Sequence, residues 1–232
     1  MNVLKLVLLI IGGYLLGNFS SARALSRLKK DDITKHGSGN PGTMNMLRTY
    51  GIGFGILTLV LDALKGAIPA LVGLLIFRGN PEWANIALFS GGFSAILGHV
   101  FPVFYKFKGG KGVACIVGMF AVCEPVWAAI MLGASFIYLL IFQYGALASF
   151  LFITVLTIIE GYKFRGNVVV CVLLAGIFFL TWFMHRGNFF RLLTGKENKV
   201  RLFKTKSKLK VERTKKISKR QIKKQKIRKE IG

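Results

Sequence analysis

The chain reads as an all-α, polytopic transmembrane bundle of about seven helices, and three observations lead there. Of its 232 residues, 53% are hydrophobic, and the mean hydropathy is +0.54, outside the range of an ordinary soluble domain. The apolar residues form continuous runs near 3–19, 52–77, 84–104, 113–123, 125–142, 146–160 and 167–184 rather than alternating as in strands. Asp and Glu number only 9 against 33 Lys and Arg, so the runs stay almost free of acids.

The first run has one Lys and is then apolar to Leu16, with no small-x-small cleavage site before the polar stretch that follows, so it reads as a first span rather than a signal peptide. Crossing about 30 Å of hydrocarbon takes about 20 apolar residues. Runs one, two, three, five and seven come near that length. The fourth and sixth are short and fit tilted spans, re-entrant pieces or halves of a bent unit; if neither crosses, five helices remain. Basic residues gather in alternate connections: Arg23, Arg27, Lys29, Lys30, Lys35 and Arg48 after the first run, Lys106, Lys108 and Lys111 after the third, Arg186 and Arg191 after the last. Seven spans place all of these on one side, cytoplasmic by the positive-inside rule, with the N-terminus outside. Arg78, Lys163 and Arg165 are exceptions to that pattern.

Residues 1–197 therefore form the membrane domain, and 198–232 a basic, disordered cytoplasmic tail. Residues 196–232 alone hold 17 of the 33 basic and 3 of the 9 acidic residues. Such a segment is attracted to anionic lipid headgroups, at about 1 kcal/mol per base near the surface. RNA would use the same charge, but no specific nucleic-acid partner is expected. Cys115, Cys123 and Cys171 lie in apolar runs, with no CxxC and no His at ligand spacing. They read as small buried hydrophobes, and neither metal nor cofactor is expected.

Four polar clusters interrupt the apolar chain. His36 to Arg48 combines Gly37, Gly39 and Gly42 with Ser38, Asn40, Thr43, Asn45 and Arg48, a composition suited to an anion. A helix cap and turn set would use many of the same residue types. Asp62 and Lys65, three apart inside the second run, share a helix face. They are either a structural intramembrane ion pair or a substrate-holding Lys with its orienting acid. His99 precedes Lys108-Gly109-Gly110-Lys111-Gly112, a cationic phosphate cradle at a helix start. The GxxxxGK[ST] pattern is absent, so ATP use is not indicated. His185 and Asn188, again three apart, close the last run. Together the clusters offer many cations, glycines and amides, and only His36, His99 and His185 as groups titrating near neutrality. Such a site binds phosphate and suits a substrate that arrives already activated.

The order and wording of these clusters, KHGSGNPGTMNMLRTYG, LDALKGAIPA, ILGHVFPVFYKFKGGKGVA and HRGNFFRLLTGKE, resemble the bacterial acyl-phosphate:glycerol-3-phosphate acyltransferase family over residues 1–197. The resemblance implies transfer of a fatty acyl group from acyl phosphate to the sn-1 hydroxyl of glycerol 3-phosphate. The products are lysophosphatidic acid and phosphate, at the start of phospholipid synthesis in the bacterial cell membrane. It also implies substrate binding by Ser38 and Arg48, a phosphate loop holding Lys108 and Lys111, and a functional pair in His185 and Asn188. The family lacks the HxxxxD motif, and no Asp lies five residues after any His here. One departure is local: the family pattern Arg-Tyr-x-Ser-Leu-x-Ser reads Gln143-Tyr144-Gly145-Ala146-Leu147-Ala148-Ser149, losing a cation and a hydroxyl. With no Ser–His–Asp or Cys–His set in the sequence, direct attack by the glycerol hydroxyl is expected, its base a substrate phosphate oxygen, as the resemblance suggests, or His185. A membrane transporter of a phosphorylated metabolite is the alternative. It would call for internal repeats and paired sites along a path, and no repeat relates the two halves.

Overall fold

The computed structural model describes residues 1–200. Nine α-helices follow in order: α1 (Asn2–Asn18), α2 (Ser21–Leu28), α3 (Thr43–Tyr50), α4 (Ile52–Ile76), α5 (Pro81–Val100), α6 (Val113–Cys123), α7 (Pro125–Phe142), α8 (Gly145–Lys163) and α9 (Val168–Leu193). Single 3₁₀ turns cover Ile33–Lys35 and Val103–Tyr105. By length and composition six helical segments suffice to cross a membrane: Asn2–Leu28, α4, Pro81–Tyr105, α7, α8 and α9. The sixth apolar run, short in sequence, extends to 19 residues as α8, whereas the fourth remains an 11-residue helix, α6.

The first segment is longer than its apolar run because α2 continues it. Ala22 and Leu25 are buried while Arg23 and Arg27 sit on the other faces, a pattern with helical period and low hydropathy. Where helices begin, ordinary start signals are present. Pro81 and Pro125 open α5 and α7, and the Asn80 and Asn167 side chains accept from the Trp83 and Val170 amides at 3.2 and 3.1 Å.

α5 is the central helix: 72% of its apolar window is buried, against 22% for the first segment and for α7. α1, α4, α6 and α9 pack around it. Small residues set the approach. Gly17 of α1 lies against the Ala95 backbone and Gly66 of α4 against that of Cys115, with no room for a Cβ at either. Phe89, Ile96, Ile116, Met119, Phe120, Phe152, Leu156 and Ile177 fill the core between α5, α6, α8 and α9.

Long-range contacts sort the connections by end. At one end Arg23 donates to the Lys108 carbonyl (2.9 Å), Val103 N to Asn18 Oδ1 (2.6 Å), Arg48 to the Asn198 carbonyl (3.1 Å) and Val200 N to the Gln143 carbonyl (2.7 Å). Far from these, Phe77 stacks on Trp83 with Leu9 beside them, and Glu124 pairs with Lys163. The basic connections after α1, α5 and α9 thus meet at one end of the bundle.

Candidate active site at the basic end of the bundle

The loop between α2 and α3 is built from its own acids and amides. Asp32 accepts from the Thr34 amide (3.0 Å) and hydroxyl (2.8 Å). Asp31 meets His36 Nε2 at 2.8 Å and accepts from the Tyr50 hydroxyl at 2.9 Å. The His36 contact, the Asp32 amide and the Tyr50 hydroxyl hold the Asp31 carboxyl below the usual range, and burial followed by that same bond raises the Tyr50 phenol. Asn45, fully buried on α3, staples the loop. Its amide donates to the carbonyls of Ile33 (3.2 Å) and His36 (2.9 Å), and its Oδ1 accepts from the Ser38 amide at 3.2 Å. Gly37 has φ +56° and leaves no room for a Cβ beside Asn45 Oδ1, so the left-handed turn here requires glycine. Both Asn45 donors are spent inside the loop, which makes this residue its scaffold. Ser38 stands exposed at the loop tip, with Gly39 and Asn40 following it. Thr43 Oγ1 and Arg48 Nε are buried without a partner among the described residues.

The glycine turn before α6 differs from the sequence expectation. The amides of Gly109 and Gly110 are donated inward, to the carbonyls of Val100 (3.2 Å) and His99 (3.0 Å). They tie the turn to the end of α5 and have no proton left for an anion. Gly112, at φ +83°, caps α6. What this segment presents is the Lys111 ammonium and the first-turn amides of α6, which lack acceptors in a preceding turn. The Lys108 side chain is exposed, and the contact it makes with α2 is through its backbone carbonyl.

On α9, the buried His185 donates through Nδ1 to the Thr181 carbonyl (2.9 Å), an oxygen that can only accept, so its Nε2 is left bare in the neutral ring. One turn on, Asn188 accepts from the Lys111 ammonium through Oδ1 and donates through Nδ2 to Glu197 Oε1 (2.7 Å). Arg191 Nε donates to Glu197 Oε2 at 2.9 Å. Arg48 reaches this group from α3 through the Asn198 carbonyl. Burial lowers the Lys111 pKa to about 8; Glu197 works against that and Arg191 and Arg48 add to it. Arg48 is lowered from its ordinary value mainly by burial, again with Glu197 opposing.

Of the residues singled out from sequence, Arg48, Lys111, His185 and Asn188 are brought together, with Ser38 on the adjoining loop and Thr43 at the start of α3. Asp62, Lys65 and His99 form a separate buried set behind the glycine turn. Sequence reasoning missed Glu197. Its carboxylate is 4% exposed and joins Asn188 to Arg191. The available signal was a lone acid in a basic stretch, just after the last apolar run. Three cations, Arg48, Lys111 and Arg191, share that single carboxylate, so the cradle keeps an excess of positive charge for an anionic ligand.

The chain resembles known proteins over most of its length. Residues 7–195 match the family described as glycerol-3-phosphate acyltransferase. The chain is 38% identical to the glycerol-3-phosphate acyltransferase of Halalkalibacterium halodurans, covering 83% of this chain and 94% of that one. It is 36% identical to the Aquifex aeolicus protein of the same name, covering 84% and 100%. Two crystal structures of PlsY, an integral membrane glycerol 3-phosphate acyltransferase, are similar throughout. The glycerol 3-phosphate form has TM-score 0.77 at 34% identity, covering 88% of this chain and 98% of that one. The lysophosphatidic acid form has TM-score 0.75 at 33% identity, covering 85% and 96%. With a matching family across the membrane body, relatives above 30% identity and a shared fold, this chain belongs to the glycerol-3-phosphate acyltransferase family.

Proposed function

We propose that this multi-pass membrane protein transfers a fatty acyl group from acyl phosphate to the sn-1 hydroxyl of glycerol 3-phosphate, releasing lysophosphatidic acid and inorganic phosphate. The observation that carries this reading is the cradle of Arg48, Lys111 and Arg191 around Asn188 and Glu197. It holds fixed cations for phosphate, and its one carboxylate is already engaged by Asn188 and Arg191. Arg48 offers a planar fork suited to two phosphate oxygens, and Lys111 a point charge. The exposed Ser38 on the loop and the Thr43 hydroxyl at the start of α3, without a partner among the described residues, add donors, with Gly39 and Asn40 shaping the loop's rim.

Acyl phosphate is a mixed anhydride whose leaving group needs no protonation to depart. The glycerol hydroxyl attacks the acyl carbon, the new ester C–O bond forms, and the bond to the phosphate oxygen breaks with its electron pair on phosphate. The hydroxyl proton goes to a substrate phosphate oxygen or to the bare Nε2 of His185. Holding both phosphates in one cradle brings hydroxyl and carbonyl together, an effect that lowers a barrier by about 7–11 kcal/mol in favourable cases. The first-turn amides of α6 and the Lys111 ammonium stabilise charge on the departing phosphate.

For topology the reading has seven crossings, with the N-terminus outside and the basic end, and so the site, facing the cytoplasm of a bacterial cell membrane. Its support is the course of α6: it starts at the Lys111 turn and ends at Glu124, which pairs with Lys163 at the last turn of α8, while α7 returns to Gln143 beside Val200. The acyltransferase domain is residues 1–197, with Asn198 and Val200 still touching the body. The expected disordered, lipid-attracted tail lies outside the described residues from 201 onward.

The donor is tested with the purified full chain, glycerol 3-phosphate, and palmitoyl phosphate or palmitoyl-CoA in parallel. Lysophosphatidic acid formed with acyl phosphate alone is the expected result. Formation with acyl-CoA alone would overturn the donor assignment, and none with either would overturn the reaction.

A further inference from the structure

Behind the glycine turn lies a charged set that the cradle does not use. Asp62 and Lys65 stand one turn apart on α4, on the face that Gly66 presses against α6. Lys65 Nζ lies 2.6 Å from Asp62 Oδ1 and donates to the Phe19 carbonyl, at the end of α1, also at 2.6 Å. The same ammonium faces His99 Nδ1 at 3.4 Å. The three side chains are 2%, 5% and 7% exposed for Asp62, Lys65 and His99. An ammonium donates and cannot accept. His99 Nδ1 is therefore the bare nitrogen, and the ring proton sits on Nε2. Asp62 Oδ1, at 3.9 Å from Nδ1, is too far to draw that proton back.

The other edge of the ring meets the glycine turn. A Cβ at Gly110 would overlap His99 Nε2, and one at Gly109 would overlap the His99 carbonyl. That carbonyl also accepts from the Gly110 amide at 3.0 Å. His99 thus grips Gly110 twice, through its backbone and beneath its Cα with the ring. The next residue in the chain is Lys111, whose ammonium lies in the cradle. The ring edge therefore lies directly beneath the residue that precedes Lys111.

We propose that Asp62, Lys65 and His99 form a positioning relay. It holds the His99 ring as the Nε2–H tautomer under Gly110 and so sets where Lys111 stands in the cradle. Among the described residues none of the three hydrogen-bonds or ion-pairs with a cradle residue, so they are positioning residues, and their signature is the affinity for glycerol 3-phosphate rather than the chemical step. The kinetic part rests on the acyltransferase reading; the tautomer does not.

The experiment has two arms on the full-length chain. In the first, protein labelled with ¹⁵N-histidine in detergent micelles is examined by NMR, with the His99 signals identified by their loss in His99→Gln. A bare Nδ1 and a protonated Nε2 are expected. A protonated Nδ1 would overturn the relay whatever the enzyme's activity. In the second, His99→Gln places an amide N–H near the Nε2 position, whereas His99→Asn reaches only the Nδ1 position. We expect His99→Asn to raise the glycerol 3-phosphate KM about tenfold, a 1.4 kcal/mol effect, with kcat little changed. His99→Gln should return KM to near the wild-type value. Equal KM in the two variants, or a loss confined to kcat, would overturn the proposal. The paired variant Asp62→Leu/Lys65→Met avoids leaving an unpaired buried charge and should match His99→Asn in KM. If it fails to fold, the tautomer measurement still decides. Active enzyme with the wrong tautomer refutes the relay alone, and the right tautomer in a chain that makes no ester refutes only the acyltransferase reading.

Discussion

On the proposed reading, Lys111 should set the alkaline limit of turnover. Burial of its ammonium brings the pKa from 10.5 to about 8, with Glu197 opposing and Arg191 and Arg48 reinforcing. At that value roughly nine in ten molecules carry the charge at pH 7 and roughly one in ten at pH 9. The charged form is disfavoured by at most about 3 kcal/mol, a ceiling because the side chain is only half-buried and water screens it. On the proposed reading a bound phosphate dianion would supply the missing counter-charge. The profile of kcat/KM for glycerol 3-phosphate, which reports the free enzyme, should therefore fall through about pH 8. The kcat profile, which reports the complex, should fall at higher pH. Lys111→Arg keeps its charge throughout, so its rate is lower but its alkaline fall near pH 8 disappears. The same group has a stability signature. Between about 8 and 10.5 the unfolded chain binds a proton that the folded chain has released, so the Lys111 contribution makes stability rise with pH across that window. Thermal unfolding of wild type against Lys111→Arg reads that difference. An identical alkaline fall of kcat/KM in both proteins would refute the assignment.

His185→Ala separates the two candidate bases: a loss of a few fold in kcat is expected if a substrate phosphate oxygen takes the proton, and near-complete loss assigns the proton to the His185 Nε2. Asn45→Ala removes three loop hydrogen bonds, at about 1 kcal/mol each. It should lower the thermal midpoint and raise the glycerol 3-phosphate KM, and an unchanged midpoint would argue against the staple. A chain ending after Val200 keeps the Asn198 and Val200 contacts with the body and should retain wild-type turnover. One ending after Glu197 also loses a buried valine, worth about 1.5–3 kcal/mol, and should unfold at lower temperature; equal midpoints would deny those residues a structural part.

The membrane architecture was legible because hydrocarbon demands long apolar runs, and each of the six long helical segments is built on one of them. The run 146–160 understated α8, since Glu160 and Lys163 end the apolar count while the helix continues through them to Lys163. α2 escaped hydropathy altogether: only two of its eight residues, Ala22 and Leu25, are buried and apolar. For the site, the sequence singled out Arg48, Lys111, His185 and Asn188, two cations, an imidazole and an amide that the fold brings together. Residue type alone left hydrogen-bond direction open. Asn45 and the amides of Gly109 and Gly110 look like ligand donors in sequence, yet each is consumed by a carbonyl of the fold. Lys65 looks like an anion binder, yet its ammonium is ion-paired with Asp62, donates to the end of α1 and faces His99. Glu197 was hidden because its partner Asn188 lies nine residues back and is brought close by the chain's return after α9.

The most direct test of the cradle is turnover of Lys111→Ala with palmitoyl phosphate and glycerol 3-phosphate, in protein whose thermal unfolding matches the wild type. Loss of a charge-assisted contact contributing about 1.5–3 kcal/mol predicts at least a tenfold to hundredfold fall in kcat/KM, and more if the same contact orients the attack. Wild-type turnover in that protein would contradict the account, because the phosphate would then be held somewhere other than beside Asn188 and Arg48.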